Sequence, residues 1–195
     1  MEVEWQIQSN ALSESLTKLA RHLEDEQDWL IGGSCSLWLQ GVQVHQPPRD
    51  IDIYMDEQDI GNVHNKLNYM ALDTPRLDTS GIYKSILSHY EIGNYTAELV
   101  GGFEVRSGGS HYCVNIRGLL KQEAPTLQMN GHHLYLMPLA HEYVFNLLRD
   151  RPDRYVPIAE VLKNNANKHR ALLLEILQSN RWSKAHRASI LDVIG

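Results

Sequence analysis

The stretch WLIGGS at residues 29–34, followed by DIDI at residues 50–53, decides how this chain is interpreted. The first part is a short apolar run that ends at two glycines, which is typical of a buried strand turning into a helix. Residues 34–40 continue as a brief helix, and a proline-containing loop then leads to the acidic part. Glycines permit close approach of a ligand to the backbone, and a helix start attracts anions. The turn is therefore a candidate phosphate site formed by Gly32, Gly33 and Ser34.

Alternation in residues 50–55 predicts a strand that carries two carboxylates on one face. Ile51 and Ile53 face one way, while Asp50 and Asp52 face the other. Mg²⁺ prefers oxygen ligands, and a carboxylate pair can hold one or two such ions. Joined to a phosphate-binding turn, the pair indicates chemistry on a nucleoside triphosphate, in which positioning and charge neutralisation do most of the work.

Other residues are candidates to complete this site. Glu98 lies within an otherwise apolar predicted strand and is the best third acid. Lys84 could reach a phosphate as a point charge, or be a solvated strand-end lysine. Arg49 could bind phosphate or neutralise Asp50. Three arginines near residue 150 could clamp a triphosphate or form a surface turn: Arg149, Arg151 and Arg154.

The remaining pattern predicts an α/β core over residues 1–136 and a helical part over residues 137–195. Helices are expected at residues 10–26 and 57–70, followed by strands that form hairpins. Pro138 fits the first turn of a further helix. A hairpin is predicted from strands at residues 83–91 and 95–100, and further strands at residues 112–116 and within 126–136. Two or three more helices are predicted in residues 155–194.

Composition narrows the class of protein. The 195 residues carry a net charge of −6, with a basic excess confined to residues 149–195, so a nucleic-acid partner is not favoured. No apolar run approaches the roughly 20 residues of a membrane span. The acidic start is unlike a secretory signal, and two cysteines without metal-type spacing fit free thiols, so a cytoplasmic location is expected.

The ten histidines predict no metal site. His132 and His133 are adjacent on a predicted strand and point to opposite faces, and isolated histidines such as His111 lack a partner at ligand spacing. Any metal is therefore expected at the acidic residues.

In this order, Gly33-Ser34, Asp50-x-Asp52 and Glu98 resemble the nucleotidyltransferase superfamily with a polymerase-beta-type core. Residues 29–162 are similar to small bacterial members, namely aminoglycoside, lincosamide and minimal nucleotidyltransferases. The resemblance implies an α/β (α+β) fold, with a mixed-sheet core flanked by helices and a helical C-terminal part. The sequence departs from the usual pattern of this superfamily in two ways. Fifteen residues separate Ser34 from Asp50, slightly more than is usual, and the third acid is a glutamate rather than the commoner aspartate.

The resemblance also implies a reaction, in which a nucleoside monophosphate passes from an NTP to a hydroxyl and pyrophosphate is released. Asp50 and Asp52 would hold Mg²⁺, Glu98 would bind metal or act as general base, and Gly33 with Ser34 would contact the β- and γ-phosphates. The expected partners are an NTP, with ATP favoured, and a hydroxyl-bearing acceptor. The alternatives are a non-catalytic binding protein of the same fold, such as the antitoxin-like half of a two-protein module, and, less favoured, modification of nucleic-acid ends.

Overall fold

The computed structural model describes residues 2–44 and 46–195, with side chains described from Asn10 onward. A mixed sheet forms the centre, and helices cover both of its faces. In chain order the elements are α1 (Glu2–His22), β1 (Trp29–Gly32), α2 (Gly33–Leu39), β2 (Asp50–Met55), α3 (Ile60–Leu67), β3 (Arg76–Asp78), β4 (Tyr83–Ile92), β5 (Tyr95–Ser107), β6 (Ser110–Cys113), β7 (Thr126–Met129), β8 (His132–Tyr135), α4 (Leu139–Leu148), α5 (Pro152–Asn164), α6 (Ala166–Ser179) and α7 (Lys184–Asp192).

The sheet order is β1-β2-β5-β4-β3, and β6 pairs with the distal part of β5. β2 and β5 are parallel, whereas the other pairs in this sheet are antiparallel. A parallel pair requires a long crossover, which α3, β3 and β4 supply here. This mixed sheet confirms the fold class predicted from the sequence.

The register between β2 and β5 positions the acidic residues. Asp52 lies opposite Glu98, and Asp50 lies opposite Thr96. Directly opposed residues project from the same face of a sheet, so Asp50, Asp52 and Glu98 emerge together.

Two apolar clusters lie on the two faces of the sheet. Leu16 and Leu19 of α1 pack with Ile53 and Leu99 on one face. The opposite face, which carries the acids, is covered by the C-terminal helices in a cluster that includes Tyr54, Val100, Val144 and Ile158. The acids therefore lie where the sheet meets the C-terminal helices.

Most predicted elements have the expected type, with different bounds. β5 continues to Ser107, beyond the predicted end at residue 100, and α3 is shorter than predicted because 3₁₀ turns flank it. Pro138 precedes α4 as its N-cap rather than lying in the first turn. Among the described residues, none of the helices combines the length and apolar character needed to cross a bilayer.

Candidate active site

Four carboxylates line one cavity of about 300 Å³, namely Asp78 and the three predicted acids Asp50, Asp52 and Glu98. Burial, followed by the charges of Asp50 and Glu98, raises the pKa of Asp52 to about 7. Burial and the charge of Asp50 also raise the pKa of Glu98. Like charges held together in a partly desolvated site disfavour ionisation, and a cation between them would remove that penalty.

The donor chemistry of the three acids fits a hard divalent cation, because every ligand would be a carboxylate oxygen. Their oxygens do not all lie within 4.8 Å of one another. Asp50 and Asp52 project from one strand and Glu98 from its neighbour. All three side chains therefore project from the same sheet face and line the same cavity.

The glycine turn lies directly against the acids. Gly33 begins α2 with a φ of +60°, and a Cβ at this position would overlap Oδ2 of Asp52. Gly33 and Ser34 line the acidic cavity. A Cβ on Gly32 would instead overlap the ring of Tyr54, so Gly32 allows close packing of β1 on β2 and does not itself line the cavity.

Glu142 of α4 is a site residue that the sequence analysis missed. Its side chain is buried, with 1% exposure, and its Oε1 accepts a hydrogen bond of 2.7 Å from the backbone N–H of Gly33. Burial is the main cause that raises the pKa of Glu142 to about 8. In the sequence, Glu142 is recognisable only as an acid within the apolar helix that follows Pro138. That position predicts neither the partner nor the role of its side chain.

Hydrogen bonds connect Glu142 to an arginine at the cavity wall. Asn146 donates from Nδ2 to the backbone oxygen of Glu142 at 2.7 Å. Oδ1 of Asn146 accepts from Nη2 of Arg149 at 2.7 Å and from Nε at 3.1 Å. The guanidinium of Arg149 also lies over the ring of Phe145, 4.3 Å from its centre. Two fixed partners therefore hold Arg149 beside the acids.

We expect Glu142 to make the protein less stable as pH rises. Below the pKa of the unfolded state, ordinarily about 4.3, the carboxyl is protonated in both the folded and the unfolded protein. Its ionisation then does not change the free energy of unfolding. Between that value and the folded pKa of about 8 the folded state retains the proton, so the free energy of unfolding falls with rising pH. Urea unfolding at about pH 5 and about pH 8 should show this fall in the natural protein and a smaller one in Glu142→Gln.

The matched variant Glu142→Ala separates charge from hydrogen bonding. Alanine leaves the buried N–H of Gly33 without its acceptor, which should cost about 1–3 kcal/mol at both pH values. Glutamine retains an acceptor oxygen and should avoid most of that loss. Equal pH slopes in the natural protein and Glu142→Gln would contradict the assignment of this proton to Glu142.

A second cavity of about 350 Å³ adjoins the acidic one and shares Ser34, Asp50 and Arg154 with it. Arg49 and Arg151 also line it, and Arg151 is ion-paired at 2.7 Å with Asp153 of the same cavity. Burial, then the charges of Arg149 and Arg151, lower the pKa of Arg154. Crowded cations beside a glycine turn favour a polyanionic ligand, which would relieve their mutual repulsion.

Lys84 is not brought to either cavity. It lies on the opposite face of the sheet, where its Nζ donates to Oε1 of Glu104 at 2.7 Å. Its neighbours Tyr83 and Ser85 line the acidic cavity instead, because successive strand residues face opposite sides. Arg49 does lie at the basic cavity, and it donates to Oε1 of Gln46 at 2.7 Å.

Aromatic side chains that were not assigned from the sequence line the acidic cavity, and a histidine outside its lining approaches Glu98. Tyr83, Phe103 and Phe145 form an apolar wall. Nε2 of His89 lies 3.9 Å from Oε1 of Glu98, and Nδ1 of His89 is hydrogen-bonded to Asp73 at 2.7 Å. This wall can accept a flat or partly apolar molecule next to the acids.

Solved structures share this architecture. A candidate nucleotidyltransferase from Thermotoga maritima superposes with a TM-score of 0.59 and 24% identity, covering 78% of this chain and 91% of its own. The solution structure of the antibiotic-resistance factor ANT(2'')-Ia has a TM-score of 0.50 and 13% identity, covering 84% of this chain and 89% of its own. No protein-family model matches the sequence, and no curated protein does. The chain has a nucleotidyltransferase fold.

Proposed function

We propose that this protein is a Mg²⁺-dependent nucleotidyltransferase, which transfers a nucleoside monophosphate from an NTP, with ATP favoured, to a hydroxyl-bearing acceptor. The observation that carries the proposal is the meeting of three carboxylates with a glycine turn and an arginine wall at two adjoining cavities. The shared fold supports the reaction class.

The triphosphate would lie across the two cavities. The backbone at Gly33 and Ser34 approaches it closely, and Arg154 at the boundary can neutralise the β- and γ-phosphates. Arg49 and Arg151 would bind the far end of the phosphate chain in the basic cavity. The α-phosphate then lies beside Asp50 and Asp52.

Asp50 and Asp52 would hold Mg²⁺, which supplies charge neutralisation for the attacked phosphate and its leaving group. Glu98 lies opposite Asp52 with a raised pKa, which suits a general base for the acceptor hydroxyl. The acceptor oxygen attacks the α-phosphorus, its proton passes to Glu98, and the α–β bridging P–O bond breaks. Pyrophosphate leaves with the electron pair of that bond.

The experiment that tests the proposal is isothermal titration of the protein with a non-hydrolysable ATP analogue, with and without Mg²⁺. Binding that requires Mg²⁺ would support the triphosphate site and justify a screen of hydroxyl acceptors. No binding of this analogue or of the corresponding analogues of the other NTPs would overturn the proposal.

Arg154→Gln is expected to weaken binding of the Mg²⁺-bound ATP analogue by about 10- to 100-fold, since a hydrogen bond to a charged group contributes roughly 1.5–3 kcal/mol. Arg187→Gln is the control, because it removes the same charge from an exposed position on α7. Titration calorimetry compares the two variants. Equal losses in both would mean that net charge, rather than the position of Arg154, sets the affinity.

A further inference from the structure

A cluster of three unlike ligand groups lies on the sheet face opposite the two cavities. Glu104 of β5 and His111 and Cys113 of β6 place their ligand atoms within 4.8 Å of one another. Nε2 of His111 lies 2.8 Å from Oε2 of Glu104 and 3.2 Å from Sγ of Cys113. We propose that these three residues bind a Zn²⁺-like divalent cation at a site separate from the proposed nucleotide site.

Strand geometry explains why these residues meet. His111 and Cys113 are two residues apart on β6, so their side chains share one face. Glu104 lies directly opposite Cys113 in the antiparallel β5–β6 pair. From the sequence, His111 was set aside as isolated and Cys113 as a free thiol, so the His111-x-Cys113 pair on one strand was overlooked.

The distances require only a small adjustment to admit a metal. Zn²⁺ ligand bonds of about 2.0–2.3 Å at tetrahedral angles place ligand atoms roughly 3.3–3.7 Å apart. The observed separations of 2.8 and 3.2 Å are a few tenths of an ångström to about half an ångström shorter. Cys113 is exposed and His111 is half-buried, so both side chains have room to move. A thiolate, an imidazole and a carboxylate leave the fourth position open to water or a further ligand.

The surrounding charges orient and balance the ligands. Nζ of Lys84 donates to Oε1 of Glu104 at 2.7 Å, which leaves Oε2 directed at His111. Nη2 of Arg106 donates to Oε2 of Glu104 at 3.1 Å, and this bond would have to give way when Oε2 binds the metal. A hydrogen-bonded partner behind a ligating carboxylate is the usual outer support of a protein metal site. A thiolate and a carboxylate supply two negative charges to a divalent cation, while Lys84 and Arg106 add two positive charges around Glu104.

The site also lies where the C-terminal helices join the sheet. The backbone N–H of Cys113 donates to Oδ1 of Asn180 at 2.8 Å. The backbone N–H of His111 donates to the oxygen of Arg181 at 2.8 Å. A metal bound here would fix the β5–β6 pair and, through β6, the segment between α6 and α7.

Cobalt titration tests the proposal, because Co²⁺ substitutes for Zn²⁺ and reports its ligands by absorption. In a non-thiol reductant, the natural protein is expected to develop a thiolate-to-cobalt charge-transfer band together with strong tetrahedral d–d bands, and Zn²⁺ should abolish both. Thermal unfolding should shift to higher temperature when Zn²⁺ is added, as for any ligand that binds the folded state alone. Absence of the charge-transfer band would overturn the proposal.

Variants separate this site from other binding. Cys113→Ser and His111→Ala should each lose the cobalt bands and the Zn²⁺-dependent shift, while His133→Ala, an exposed strand histidine, should keep both. Circular dichroism confirms folding, and two different ligand variants keep the test valid if one fails to fold. Cobalt held at Asp50, Asp52 and Glu98 would give no thiolate band. A band that persists in Cys113→Ser would place the thiolate elsewhere and contradict the assignment.

Discussion

Replacing Asp52 with asparagine is expected to abolish Mg²⁺-dependent binding of an NTP analogue and to leave the chain folded. Asp52 lies between the glycine turn and Glu98, so its loss removes the central carboxylate of the proposed metal site. Any turnover should fall by about 10³-fold or more, given that a metal contributes several kcal/mol to stabilising the transition state and that about 1.4 kcal/mol corresponds to a factor of ten.

The same substitution should stabilise the metal-free protein at neutral and higher pH. Burial and like charges raise the pKa of Asp52 to about 7, which means that its ionised form is disfavoured in the folded state. Asparagine is close in shape and cannot ionise. Titration calorimetry and urea unfolding together check both effects. Mg²⁺-dependent binding retained by folded Asp52→Asn would refute the proposed metal site.

Gly33→Ala is expected to cause the second large loss. The left-handed conformation at φ +60° costs a residue with a Cβ about 1–2 kcal/mol. The added Cβ would also overlap Oδ2 of Asp52, so the carboxylate or the turn must move. Binding of the Mg²⁺-bound ATP analogue should therefore fall below detection, together with a decrease in the free energy of unfolding.

Gly41→Ala is the matched control for this experiment. Gly41 also has a positive φ, of +74°, but within the described part of the chain no heavy atom lies within 4 Å of an added Cβ. It should reproduce the backbone strain and retain NTP binding. Urea unfolding measures the strain, and calorimetry measures binding. Equal binding by both variants would show that the position of Asp52 does not depend on the glycine turn.

The acidic strand could be predicted because the evidence for it is local. Alternation in residues 50–55 places Asp50 and Asp52 on one face without reference to the remaining chain. Asp52 lies opposite Glu98 because β2 and β5 pair in parallel across a long crossover. Neither composition nor residue spacing predicts the register of such a pair. The glutamate was nevertheless recognisable as a polar position within an apolar strand.

Residues contributed by the C-terminal helices were harder to assign. Glu142 acts on Gly33 from 109 positions away, and the helical pattern of α4 predicts burial but not the partner. Arg154 reaches both cavities, although its sequence context favoured a surface turn over a phosphate clamp. Lys84 was instead assigned to the site and does not reach it. Strand alternation directs its side chain to the other face of the sheet, away from the acids.

The order of the site residues along the chain has a consequence for protein synthesis. The ribosome synthesises the glycine turn and the two aspartates first and Glu98 next. Glu142 and Arg154 follow only much later. Until α4 and α5 emerge, the apolar sheet face around Tyr54 and Val100 lacks its cover. A prematurely terminated chain that ends before residue 142 would therefore have the acids without Arg149 and Arg154, and would expose an apolar surface to the cell's quality-control machinery.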